Sequence, residues 1–230
     1  MSQSAIHLEG VGVRLGDTHV LQDVSLDLEA RTVAVIGENG SGKSTFARLI
    51  GGLLPRASGQ LGILGLDPAR RAAELRRRIA IVFSNPDAQI IMPTVAEDVA
   101  FSLRADRLRP AELEERVATA MERFGLTALA ERPSHDLSGG QKQMLALCGA
   151  FVRNPELVIA DEPTAYLDAR NARRVADHLF EDTGHRLVLV THDLALAARC
   201  DQAVLFAGGR LVALGAPDAI IARYEAVLAC

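Results

Sequence analysis

"TVAVIGENGSGKST", residues Thr32 to Thr45, decides the fold. Its opening run is largely apolar and rich in β-branched residues, the pattern of a strand buried on both faces of a parallel sheet. From Gly37 onward it matches G-x-x-x-x-G-K-[ST] without departure. Beyond Gly42 the apolar positions Phe46, Leu49, Ile50 and Leu53 fall at helical spacing, with Gly51, Gly52 and Pro55 marking the helix end. Strand, glycine loop and amphipathic helix together form the context in which this motif cradles phosphates. The nucleotide-binding candidates are Asn39, Gly40, Ser41, Gly42, Lys43, Ser44 and Thr45. Gly40 and Gly42 let backbone N–H groups turn inward on the phosphates. Lys43 offers a point charge to the β- and γ-phosphates of a nucleotide, Ser44 a hydroxyl to Mg2+, and the helix start adds its dipole.

Outward from this loop, strands and helices alternate. "AIHLEGVGVRL" and "VSLDLEA" read as half-buried strands of the antiparallel kind, while "RIAIVF", "LVIAD", "RLVLVT" and "QAVLFAGGRLVALG" are further strands, the last folded at Gly208 and Gly209. Between Asn85 and about Asn154 the strand pattern stops. There "PAELEERVATAMERFGL" starts a helix at Pro110 with a Leu113, Val117, Met121, Phe124 stripe. The expected organisation is an α/β core of residues 1–84 and 155–230, with an antiparallel region near its start and a helical subdomain, 85–154, inserted into it. "RRAAELRRR" reads as a solvated helix face.

The 230 residues are 49% hydrophobic with a formal net charge of -4, which suits one sizeable core and argues against a chain that wraps nucleic acid or lies on anionic lipid. The cysteines, Cys148, Cys200 and Cys230, are far apart with no C-x-x-C pair, so free thiols in a reducing compartment are expected. The segment "MSQSAIHLEG" has no apolar signal core, and no apolar run approaches the roughly 20 residues that span a bilayer. Any membrane role is therefore borrowed from a partner.

Hydrolysis needs more than a phosphate loop. Asp161 and Glu162 follow the apolar strand "LVIA", at the sheet edge where ligands of open α/β folds sit. Asp161 suits the Mg2+ shell and Glu162 the activation of a water, although the pair would also suit a turn before Pro163. His192 follows "RLVLVT" at the same edge, within reach of a γ-phosphate. In "LSGGQKQ", Leu137 to Gln143, Ser138 and Gln141 have capping-box spacing. Gly139 and Gly140 are left over: each disfavours a helix by up to about 1 kcal/mol against alanine. They make sense if something approaches the backbone closely. A second anion cradle is the natural reading, most simply for a nucleotide held by another subunit.

The order of phosphate loop, LSGGQ, "LVIADEP", "AYLD" (Ala165 to Asp168) and "THD" (Thr191 to Asp193) resembles the ATP-binding cassette (ABC) ATPases over essentially the whole chain. The resemblance implies a P-loop NTPase fold with a RecA-like parallel-sheet core. It also implies head-to-tail pairing with a second cassette, identical or paralogous. ATP would lie between the phosphate loop of one chain and Ser138, Gly139, Gly140 and Gln141 of the other, with Asp168 at the seam. By carry-over Glu162 is the catalytic base and His192 the γ-phosphate sensor, with Ser44 and Asp161 as metal ligands.

"VFSNPDAQIIMPTVAEDVAF", Val82 to Phe101, resembles the corresponding stretch of the energy-coupling-factor (ECF) importers, and "DEPTAYLDARNARRV" is similar to biotin-transporter ATPases. That narrower likeness implies an ATPase at the cytoplasmic face of the membrane, driving uptake of a vitamin, biotin first, or a transition-metal ion. Its partners would be a transmembrane coupling subunit and a substrate-capture membrane protein, not nucleic acid. Ile90, Ile91, Met92, Pro93, Val99 and Phe101 are groove candidates for the coupling helix. The long coiled coil or zinc inserts of DNA-linked cassettes, and the second cassette usual in translation-linked ones, are lacking. Two positions depart from the family pattern. Ser84 stands where a glutamine usually reaches Mg2+, which gives Gln89 the role of a possible substitute ligand; Leu15 stands where an aromatic commonly stacks on adenine.

Overall fold

The computed structural model describes residues 4–181 and 184–228. Cys230 and the first residues of the "MSQSAIHLEG" stretch lie outside them. The elements run β1 (Ile6–Leu15), β2 (Thr18–Leu28), β3 (Thr32–Ile36), α1 (Lys43–Ile50), β4 (Ser58–Ile63), α2 (Pro68–Arg78), β5 (Ile79–Phe83), α3 (Val95–Ser102), α4 (Pro110–Arg123) and α5 (Gly139–Phe151). They continue β6 (Leu157–Asp161), α6 (Ala169–Phe180), β7 (Arg186–Val190), α7 (Leu194–Ala197), β8 (Gln202–Ala207), β9 (Arg210–Gly215) and α8 (Pro217–Leu228).

Two sheets result. β2, β1 and β4 form an antiparallel sheet in that order, and β5-β6-β7-β3-β8-β9 form the second, parallel except for β9, which returns antiparallel from β8. β3 is buried along its whole length between β7 and β8. Its residues alternate between two cores, as a period of two requires. Val33 and Val35 join a cluster with Phe46 and Leu49 of α1 and the apolar face of the antiparallel sheet. Ala34 and Ile36 join the other, which runs without a break into the helices at Val99, Leu145 and Phe151.

Register then fixes the site. Val35 pairs with Val190, and Val190 pairs with Asp161. The C-terminal ends of β3, β7 and β6 therefore lie level, and the segments that follow them, Gly37–Thr45, Thr191–Asp193 and Asp161–Asp168, emerge side by side.

Between Phe83 and Leu157 the described chain is helical, as its pattern indicates. Pro110 opens α4, where its missing N–H is no loss. Val117, Met121 and Phe124 of the stripe are buried, and Leu113 packs against them half-buried. One expectation fails locally. Leu53 lies beyond α1, 49% exposed, because Gly51 ends the helix and Gly52 turns back at φ 67°. β4 escapes the periodicity reading because "SGQLGI" offers only Leu61 and Ile63 to the core. Cys148 and Cys200 are free and buried, and burial pushes each thiol up to about 12, so neither forms a reactive thiolate near neutral pH.

Candidate active site

The phosphate loop is shaped by its glycines in two ways. A Cβ on Gly37 would lie 2.2 Å from the Phe206 carbonyl oxygen of β8, so this residue lets the loop leave the sheet at all. Gly40, at φ 80°, meets nothing within 4 Å: its side faces open space where a ligand can approach the backbone. Lys43 is buried, and its Nζ donates to the carbonyls of Gly37 at 2.7 Å and Glu38 at 2.8 Å. Burial pulls its pKa below the usual lysine value, against the raising effect of the Glu162 and Asp161 charges. Ser41 Oγ, inside the same loop, is buried without a hydrogen-bond partner among the described residues. An orphaned hydroxyl beside a buried ammonium fits an anion with several acceptor oxygens.

Ser44 Oγ donates to Asp161 Oδ1 at 3.0 Å. Burial raises the Asp161 pKa, opposed by the Ser44 hydrogen bond and by Arg48 and Lys43. A hydroxyl and a carboxylate are hard oxygen donors, and among the described residues no group of three or more His, Cys, Asp or Glu could cage a metal alone. That donor set fits Mg2+, which takes few protein ligands and completes its shell with phosphate oxygens and water.

Glu162 and His192 meet as a pair. Glu162 sits at φ 52°, its N–H donating to the Val190 carbonyl at 2.9 Å. His192 Nδ1–H donates to Glu162 Oε2 at 2.7 Å, since an ionised carboxylate can only accept. Nε2 has no hydrogen-bond partner among the described residues. A cleft of about 830 Å³ is lined by Asn39, Ser84, Glu162, Tyr166 and His192 among others. Gln89 is elsewhere. Its Oε1 accepts from the Phe83 N–H at 2.8 Å and its Nε2 donates to the Ile81 carbonyl at 2.9 Å. With both ends of the amide spent on the β5 backbone, and the side chain in the groove beside Asp98 and Arg153, Gln89 is no substitute metal ligand.

The N-terminus of α5 carries the capping box. Gln141 N–H donates to Ser138 Oγ at 3.4 Å, and Ser138 N–H to Gln141 Oε1 at 2.9 Å. Its two glycines part company. A Cβ on Gly140 would collide with the Asn171 side chain of α6, 2.5 Å from Cγ, whereas one on Gly139 meets nothing within 4 Å. Gly140 is thus explained within the chain, and only Gly139 faces open space. Asn171 in turn donates from its backbone to Asp168 Oδ1 at 2.9 Å and from Nδ2 to Oδ2 at 2.7 Å. These bonds hold the Asp168 carboxyl below its ordinary pKa.

Sequence spacing does not reveal these ties. Asn171 joins the start of α5 to the Asp168 turn, while Lys142 reaches Asp87 at 2.7 Å and the buried Gln143 donates to the Phe83 carbonyl at 3.2 Å. The last pair hold α5 against the segment that carries Ser84. The only prior signal was the polar "KQ" inside an otherwise apolar helix. Of the groove candidates, Val99 is fully buried in the core, while Ile91 is 66% exposed and shares a cavity of about 390 Å³ with Phe101.

Comparison with known proteins follows the same lines. The family model described as "ABC transporter" matches residues 21–165. The biotin transport ATP-binding protein BioM of Rhizobium etli is 38% identical over 224 residues, covering 97% of this chain and 99% of its own. The energy-coupling factor transporter ATP-binding protein EcfA1 of Latilactobacillus sakei is 38% identical over 213 residues, covering 90% and 76%. The solved structure of cbiO1 from Clostridium perfringens, part of the ABC transporter complex cbiONQ, superposes with a TM-score of 0.86 at 31% identity, over 98% of this chain and 94% of the other.

Proposed function

From the premise that this chain belongs to the ABC transporter family of ATP-binding cassettes, we propose that it is the ATP-hydrolysing motor subunit of an ECF-type importer. It pairs with a second cassette and couples ATP-driven closure to uptake of a vitamin, biotin first, or of a transition-metal ion. The observation that carries this reading is the division of the site. One chain holds a complete phosphate loop with the Glu162–His192 pair, and, on a different helix, a glycine start open at Gly139. Two chains placed head to tail would bring the halves together on each nucleotide.

In that arrangement Asn39 to Thr45 cradle the phosphates, and Lys43 exchanges the loop carbonyls for β- and γ-oxygens. Ser44 and Asp161 would hold Mg2+, which would supply charge neutralisation for the phosphates when bound. Glu162 orients and deprotonates the attacking water. His192, its Nδ1–H committed to Glu162, keeps Nε2 for the γ-phosphate. Ser138, Gly139, Gly140 and Gln141 close on the nucleotide of the other chain, beside the Asp168 seam. Among the described residues no helix is long and apolar enough to cross a membrane. In this reading the path through the membrane belongs to a transmembrane coupling subunit and a substrate-capture membrane protein. The groove at Ile91 and Phe101 is the docking place for the coupling subunit, and the chain sits at the cytoplasmic face.

Uptake in cells starved in turn for biotin, cobalt or nickel, with and without Lys43→Ala, tests the assignment. One of the three uptakes is expected to fall at least about tenfold, the loss of a charge-assisted phosphate contact. If none depends on Lys43, the importer reading is wrong. Adenine selectivity gives a second prediction. Leu15, 44% exposed at the end of β1, offers no ring to stack on, which removes roughly 1 kcal/mol, or about fivefold, of base discrimination. GTP is therefore expected to compete about fivefold better than it would in a cassette with an aromatic at that position. Strict ATP preference in a competition assay would contradict it.

A further inference from the structure

The cleft that holds Glu162 and His192 has one lining residue from far beyond the last nucleotide motif. Tyr224 of α8 lines it beside His192 and Asp193, whereas the other lining residues come from the phosphate loop, Ser84 and the segments that follow β6 and β7. His192 needs a support that its own segment does not supply. Its side chain is 71% exposed, and its ring has one hydrogen bond among the described residues, to Glu162. The helix that follows it, α7, has four residues, too few to hold its shape in water without packing. Asp193 Oδ1 caps that helix, accepting from the Ala195 N–H at 2.9 Å and the Leu196 N–H at 3.2 Å. The rest of its support comes from the elements it lies against, β3 and α8. On α8, Ile220 is buried and Ile221 and Tyr224 are half-buried on the core, while Val227 and Leu228 beyond them are exposed. Tyr224 is thus the last large side chain by which α8 grips the core, and the one that reaches the cleft.

We propose that Tyr224 is a positioning residue for ATP hydrolysis: its ring, carried by α8, backs the His192–Asp193 segment and keeps the His192 imidazole aimed into the cleft. The inference rests on His192 as the γ-phosphate contact and goes beyond it by assigning the support to a helix that carries no nucleotide motif. The Tyr224 hydroxyl has no hydrogen bond among the described residues, so the support is the ring itself. Without the ring, the Asp193 cap and the Glu162 hydrogen bond remain, but the surface behind the segment is gone. Drift of about an ångström at a group that meets the reacting phosphate costs on the order of 100-fold in rate. The phosphate loop and Lys43 do not depend on α8, so nucleotide binding should be spared. A residue that only filled the core would instead lower stability and leave the folded molecules fully active.

Tyr224→Ala and Tyr224→Phe, assayed at a temperature where both are folded by circular dichroism, test the proposal. The alanine variant is expected to lose at least about tenfold in kcat with KM for ATP within about twofold of the parent, and the phenylalanine variant to keep kcat within about twofold. Proton NMR reads the position directly. The His192 imidazole signal, identified by its absence in His192→Gln, should move in Tyr224→Ala as the neighbouring ring is removed and stay in place in Tyr224→Phe. If the alanine variant does not fold, Tyr224→Leu, which keeps apolar packing without the reach of the ring, replaces it with the same expected losses. Unchanged kcat in the ring-deleted variant, an equal loss in the phenylalanine variant, or a His192 signal that does not move would each overturn the proposal. Hydrolysis by His192→Gln within about threefold of the parent would instead overturn the role given to His192, and this inference with it.

Discussion

Glu162→Gln is expected to lower steady-state ATP hydrolysis by at least about 100-fold, the lower bound for loss of a general base, while leaving nucleotide binding intact. The change is nearly isosteric. Glutamine Oε1 can accept the hydrogen bond that His192 Nδ1–H gives Glu162 at 2.7 Å, so the cleft keeps its shape. What disappears is the group that takes a proton from water. Closure driven by ATP then has no exit through hydrolysis, and the chain should accumulate as a dimer in MgATP but not in MgADP. Light scattering reads the mass directly. A monomer at saturating MgATP would contradict pairing, and hydrolysis within about threefold of the parent would remove Glu162 from the role of base.

Gly139→Ala is expected to abolish coupled hydrolysis, by about 100-fold, without loss of stability. The side chain has room in the single chain, where a Cβ meets nothing within 4 Å. Alanine at the first turn of α5 should hold or raise the melting temperature, since it is favoured over glycine by up to about 1 kcal/mol in a helix. The loss arises only when a phosphate must approach that backbone, because a methyl group there displaces it by an ångström or more. Gly140→Ala behaves differently. Its Cβ strikes Asn171 and through it disturbs Asp168, so both melting temperature and activity should fall. Equal melting temperatures for the two variants would contradict the separation of their roles.

The fold was legible where the information is local. The β-branched run before Gly37, the capping box at Ser138 and the proline start of α4 each specify an element within a few residues. The candidate site was legible for the same reason: its parts are short motifs at strand ends, and the parallel register alone sets them level. Long-range side-chain ties leave no periodic trace. Spacing could not show that Asn171 fills the place a Gly140 side chain would need, or that Lys142 and Gln143 hold the Asp87 and Phe83 segment. Gln89 misled because an amide suits a metal by type, and only the structure shows it spent on the Phe83 and Ile81 backbone. β4 stayed hidden because glycines supply no pattern, and Val99 because a groove residue and a core residue look alike in sequence.

The central claim is that each active site takes its phosphate loop from one chain and its glycine helix start from another. Mixing two inactive variants, Lys43→Ala and Gly139→Ala, tests it most directly. Each mixed pair would contain one doubly altered site and one intact site, so random pairing leaves about one quarter of all sites whole. The expected result is ATP hydrolysis in the mixture well above the sum of the two separate chains. No gain on mixing, with mixed pairs demonstrated by tags on the two chains, would mean that the site is complete within one chain and would contradict the claim.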